Sequence, residues 1–167
     1  YSPLPDEKYK FWDTGMTFQN DLSFSSGNET GTIYLAIQDV KVNGVVPGDE
    51  ARRDVFRFNG SKTYRGFTAS ASVNYTIRTT NTSRSGVYWN VLNTPMQIPL
   101  TDFSDWSGKY TDEEGNPVTN WADIDHYYNA YYPNPYEELE RLRQETRRDY
   151  FTGVVTLEQK FTKWLKF

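Results

Sequence analysis

Ala69-Ser70-Ala71-Ser72-Val73-Asn74-Tyr75-Thr76-Ile77-Arg78 is the stretch that decides the fold class. Ala69, Ala71, Val73, Tyr75 and Ile77 fall on one parity, and Ser70, Ser72, Asn74, Thr76 and Arg78 on the other. Successive side chains of a strand point to opposite faces, so this alternation predicts a β-strand with one buried face and one wet face. Upstream, Val55 to Phe67 carries Asn59-Gly60 at its middle. Both of those residues tolerate positive φ, which predicts a two-residue hairpin there. Downstream, the polar turn Thr80 to Gly86 leads to Val87, Trp89 and Val91, which read as an antiparallel partner strand with Trp89 packed inward.

The pattern extends towards the N-terminus. Phe18, Asn20, Leu22 and Phe24 alternate with Gln19, Asp21 and Ser23, and Gly27-Asn28 supplies a turn. Ile33, Leu35 and Ile37 share one parity while Val40 and Val42 take the other, which places a bulge at Gln38-Asp39. Asn43-Gly44 and Pro47-Gly48 then break the chain. From Pro95 to Gly115 the alternation dissolves into a long surface excursion carrying Phe103 and Trp106. Residues 120 to 132 read as a short helix, with Trp121, Ile124 and Tyr128 on one face.

A firmer helix start is Asn134-Pro135-Tyr136-Glu137, with Asn as N-cap, Pro at the first helical position and Glu at the third. Glu137, Glu138 and Glu140 precede Arg141, Arg143, Arg147 and Arg148, an order that complements the helix dipole to about residue 150. Glu137 and Arg141 stand four apart, as a helical ion pair requires. Gly153 is the expected stop. Alternation then returns, with Val155, Leu157, Phe161 and Leu165 against Thr156, Glu158, Lys160 and Thr162, as a final strand. Lys160, Lys163 and Lys166 among Phe161, Trp164 and Phe167 suit a lysine-guarded edge strand better than a juxtamembrane segment. The whole reads as a single domain over residues 1–167: a mainly β, antiparallel sandwich of about seven to nine strands, with one helix in the C-terminal half and a short second one.

Composition limits the chemistry. The chain has 13 Tyr, 10 Phe and 5 Trp, no cysteine and one histidine, His126. There is thus no thiolate nucleophile, disulfide or cysteine metal site, and one histidine cannot build a multi-histidine centre. Glycine patterns for phosphates or dinucleotides, the nucleophile elbow and the two-histidine zinc helix are all missing. Asp102/Asp105, Asp112/Glu113/Glu114 and Asp123/Asp125 pair carboxylates, but spacing within a loop establishes neither a glycosidase pair nor a calcium site. No cofactor or metal is expected, and no enzymatic activity. A net charge of −4 makes nucleic acid a poor partner. No apolar run approaches the length of a helical membrane span, so the chain reads as soluble, with any membrane anchorage through a segment outside it.

Four Asn-x-Ser/Thr sequons, at Asn28, Asn59, Asn74 and Asn81, together with the lack of cysteine, point to an extracellular or cell-surface location and mark four glycosylation candidates. A start at Tyr1 fits a processed chain or an excised ectodomain. Tyr and Trp join a large apolar body to a polar handle, a composition that favours recognition over reaction. Trp106, Tyr127, Tyr128, Tyr131, Tyr132 and Tyr136 lie among turn formers and are the candidate binding residues. The leading expectation is a non-enzymatic extracytoplasmic domain that binds a protein or assembles into a cell-surface structure. A carbohydrate-binding module using those rings, and a glycan-acting hydrolase using an Asp/Glu pair, are the alternatives.

Overall fold

The computed structural model describes residues 2–106, 114–116, 127 and 132–162. Five long antiparallel strands, β1 (Met16–Asn28), β2 (Gly31–Asn43), β3 (Glu50–Tyr64), β4 (Phe67–Ser83) and β5 (Arg143–Gln159), form one open sheet in the order β1-β2-β3-β4-β5. The helices are α1 (Glu7–Lys10), α2 (Gly86–Asn93) and α3 (Pro135–Arg141), with a 3-10 turn over Leu100–Ser104. The chain divides into two compact units. One comprises Tyr1–Met16, Asn43–Glu50 and Thr80–Glu145; the other comprises Thr17–Val42, Ala51–Thr79 and Thr146–Phe167.

The first unit is helical and has its own core. Phe11, Val87, Val91, Leu100, Tyr127 and Leu139 are buried together, flanked by Trp12, Val46, Phe103 and Tyr136. Val87 and Val91 were expected on a strand but lie one turn apart on α2. Residues four apart share a helix face, and this same spacing satisfies a period of two. Trp89, expected inside, is 60% exposed, because a helix carries the residue between them to the other side. Helix α3 starts as the sequence indicates: Asn134 is fully buried, and its Oδ1 accepts from the Tyr136 N–H at 3.0 Å. The expected Glu137–Arg141 pair is present at 2.9 Å. The helix stops at Arg141 rather than near 150. From Arg143 the chain is β5, and Gly153, expected as a helix stop, lies within that strand.

The second unit is a single layer of sheet. Among the described residues there is one sheet and five strands, not a sandwich of seven to nine. Part of the difference is Val87–Val91; part is β3, which runs straight through Asn59-Gly60. The hairpin turn falls at Arg65-Gly66, where φ is +46° and +81°, the signs a type I′ turn needs. Gly60 stays in the strand, and the Phe58 ring lies over it where a Cβ would collide. At the β1–β2 turn Asn28 Oδ1 accepts from Thr30 N–H at 2.9 Å, an Asx turn. At the supposed bulge, Gln38 and Asp39 serve opposite faces: Gln38 bonds Asp21, and Asp39 pairs with Arg52.

Candidate functional site

Cross-strand bonds assign the two faces of the sheet. On one face Gln38 Nε2 donates to Asp21 Oδ1 at 2.6 Å and Arg53 Nη2 to Gln38 Oε1 at 3.0 Å. Thr32 pairs with Ser61 and Ser72 with Asn59 on the same side. Strand parity adds Ser23, Arg57, Ser70, Thr76 and Thr156 to this polar face.

The opposite parity is apolar. It carries Phe18, Leu22 and Phe24 from β1, Ile33, Leu35 and Ile37 from β2, and Phe56 and Phe58 from β3. Strand β4 adds Phe67, Ala69, Ala71, Val73 and Tyr75, and β5 adds Phe151, Val155 and Leu157. Ten of these are large and exposed, among them Leu22 at 71%, Phe151 at 70% and Val155 at 74%. Fully burying such a side chain is worth about 1.5–3 kcal/mol, so ten at roughly half exposure leave on the order of 10 kcal/mol of hydrophobic free energy unrealised. The expectation that Ala69 to Ile77 has a buried face is thus corrected: no residue of β4 is fully buried. Charge bounds one end of this apolar surface. Arg52 bridges Asp39 at 3.0 Å and Asp54 at 3.2 Å, Arg147 pairs with Asp149 at 3.3 Å, and Tyr75 Oη donates to Asp149 Oδ1 at 3.2 Å.

Among the described residues both edges of the sheet are open. All of β1 is exposed, as is β5 from Arg147 to Leu157, and neither has a second neighbour in the sheet. The expected final strand is present from Val154 only to Gln159, as the end of β5, which begins eleven residues earlier; Phe161 and Thr162 lie beyond it, and Lys163 to Phe167 lie outside the described residues. Unpaired edge N–H and C=O groups are a template for further strands unless something blocks them.

The aromatic candidates separate. Tyr127 is 2% exposed; its hydroxyl lies 2.8 Å from Thr94 Oγ1 and its ring packs edge-on to Phe103. It is a core residue, not a displayed ring. Tyr136 is half-buried against Phe11, and burial pushes its hydroxyl above the usual phenol range. Trp106 is half-buried, its Nε1 donating to Glu140 Oε2 at 3.1 Å and the Arg141 guanidinium stacked 4.5 Å from the ring centre. Tyr132 is partly exposed. Tyr128, Tyr131, Trp121, His126, Asp112, Glu113, Asp123, Asp125 and Lys163 to Phe167 lie outside the described residues.

The sequons are also placed. Asn59 Oδ1 accepts from Ser72, Asn74 shares the polar face, Asn28 forms the Asx turn, and Asn81 Oδ1 accepts from Arg143 Nε at 2.7 Å. Arg143, which sequence reasoning treated only as part of a charged helix end, is a clamp in the helical unit. Its guanidinium also reaches Asp49 at 3.1 Å and the carbonyls of Gly48 and Asn81.

Among the described residues no group of three or more His, Asp or Glu is placed to hold a metal ion. Asp102 and Asp105, one of the paired carboxylates, are both exposed. Among the same residues no helix is long and apolar enough to cross a membrane. No protein-family model matches the chain, and no curated protein matches it at a significant level of similarity.

Proposed function

We propose that this chain is a non-enzymatic, extracytoplasmic structural element that works by assembly. Its sheet is one arc of a larger β wall, completed by strands that pair with β1 and β5. The observation that carries this reading is the sheet itself, which among the described residues is a single layer with a largely exposed apolar face and two long, unpaired edges. An isolated sheet of this kind leaves its edge groups to water and aggregation, whereas closure with further strands satisfies them. The four sequons and the absence of cysteine support the cell-surface location.

The carbohydrate-binding alternative draws less support. One face of Trp106 is occupied by Arg141, and Tyr127 is internal. A sugar-stacking platform needs open, coplanar rings.

Proline at two adjacent positions of β5 tests the edge. Along an edge strand, N–H groups alternate between the ladder and the outside. Of Val154→Pro and Val155→Pro, one removes an outward N–H and one a ladder bond. The outward variant should lose association, measured by sedimentation, while keeping the strand signal of the parent. Unchanged association in a folded outward variant refutes edge pairing.

A further inference from the structure

The apolar face has a definite length and definite ends. On β4 it runs from Phe67 to Tyr75, a rise of roughly 27 Å at about 3.4 Å per residue. Wall strands of membrane barrels tilt by about 35–45°, which brings that span near 20 Å, comparable with an apolar band of about 25 Å. Aromatic residues stand at both ends of this stretch. Tyr64 and Phe67 flank the Arg65-Gly66 turn, with the Arg65 guanidinium 5.2 Å from the Tyr64 ring centre, and Tyr75 bonds Asp149 at the other end. Beyond the aromatics come charges: Arg65 at one end, and Asp39, Arg52, Asp54, Arg147 and Asp149 at the other. Between them lie Leu35, Phe58, Ala71, Val73, Phe151 and Val155; Lys62 shares this face towards the Arg65 end, with its Nζ turned back to donate to Thr30 Oγ1 at 2.9 Å.

A protein layer is a poor match for this surface. Sheets that pack on sheets interdigitate their side chains. Here the Phe58 ring lies down over Gly60 and the Phe151 ring over Gly153, so that a Cβ on either glycine would press on the ring. The glycines let the rings lie flat, which leaves a smoother surface, suited to a fluid partner. The opposite face carries Asp21, Gln38 and Arg53 in a hydrogen-bonded group that belongs in water, with Arg57 on the same parity. Connections alternate in length as well. Glu29-Thr30 and Arg65-Gly66 are short turns, whereas 44–49 and 84–142 are longer.

We propose that the sheet spans a lipid bilayer, with the Phe18, Val73 and Phe151 face against acyl chains and the Asp21, Arg53 and Ser72 face lining a water-filled interior. The proposal rests on the assembly reading, because hydrocarbon tolerates a sheet only when no edge is left unpaired. The smallest membrane barrels have about eight strands, so at least three more must join the five present.

The absence of cysteine makes the test clean. Residues 69 to 76 are replaced singly by cysteine, including Ala71→Cys and Ser72→Cys, and spin-labelled. The protein is reconstituted in phosphatidylcholine vesicles, and collision with oxygen and with a water-soluble nickel chelate is measured. Odd positions should be several-fold more accessible to oxygen, most strongly near Ala71 and Val73, and even positions to nickel. Nickel access on both parities overturns the membrane assignment, and so do odd positions closed to both reagents, which indicates a protein layer. Sedimentation of the same variants separates the two levels of the argument. Unpaired monomers defeat the assembly reading, whereas assemblies with nickel-accessible odd positions defeat only the bilayer.

Discussion

Replacing Asn134 by alanine removes more than a helix cap. Its Oδ1 accepts from the Tyr136 N–H at 3.0 Å, and its Nδ2 donates to the Phe103 carbonyl at 2.9 Å, with the side chain fully buried. Loss of an Asn N-cap costs about 1 kcal/mol. Stranding the Phe103 carbonyl away from water adds about 1–3 kcal/mol, giving roughly 2–4 kcal/mol for Asn134→Ala, above the 0.5–2 kcal/mol of a cap alone. Asn134→Asp separates the parts, because it keeps the acceptor but turns a second acceptor on Phe103. Urea denaturation followed through near-ultraviolet signals of the aromatic core measures both variants. If the two effects combine as argued, Asn134→Asp is also destabilised although its cap is intact. A loss for Asn134→Ala within the roughly 0.5–2 kcal/mol of a cap alone, with Asn134→Asp unchanged, refutes the reasoning.

Other perturbations probe the helical unit. Glu7, held by Lys10 and by both the hydroxyl and the N–H of Thr101, has its pKa lowered from 4.5 to about 2. A lowered carboxyl pKa adds stability above the unfolded value that disappears as pH falls through the folded one. The melting-temperature gap between the parent and Glu7→Gln should thus close between pH 4.5 and about pH 2; a gap that persists unchanged at the acid end refutes the assignment. Burial raises the pKa of Glu138 despite the Asn90 hydrogen bond, so Glu138→Gln should relieve a cost that grows as pH rises through the folded value, visible as a flatter profile above the ordinary glutamate range. Arg143→Lys replaces a planar fork by a point charge and leaves carbonyls of Gly48 and Asn81 short of donors, a loss of about 2–4 kcal/mol in the same denaturation assay. Trp106→Ala should cost about 1 kcal/mol of stability through the Arg141 stack and leave association unchanged; weakened association would move the contact surface to this ring.

The strands were legible because alternation is a local property. Ala69 to Ile77, Phe18 to Phe24 and Val155 to Leu157 each lie in a strand, and the Asn134-Pro135 start is where α3 begins. Alternation does not say what covers the apolar side. A sandwich core and a membrane demand the same period of two, so the sequence reading supplied a second sheet that the described residues lack. Val87 and Val91 misled because a spacing of four fits both a strand and a helix, and only the packing of Phe11 and Leu139 around them decides. Asn59-Gly60 misled because its turn propensity is outweighed by the ladder on both sides; the Phe58 ring fills the space over Gly60. Arg143 was hidden because its partners, Gly48, Asp49 and Asn81, are distant in sequence. One signal was available: strands of 13 to 17 residues exceed the usual five or six and outrun a small soluble sandwich.

Amide hydrogen exchange along β1 and β5 in the assembled protein, compared with the dispersed chain, tests the larger β wall most directly. If further strands complete the sheet, outward-facing amides of Thr17 to Ser25 and Arg147 to Leu157 become as protected as those of β3. Edge amides that exchange at unpaired rates in the assembled state, while β2 to β4 stay protected, would contradict it.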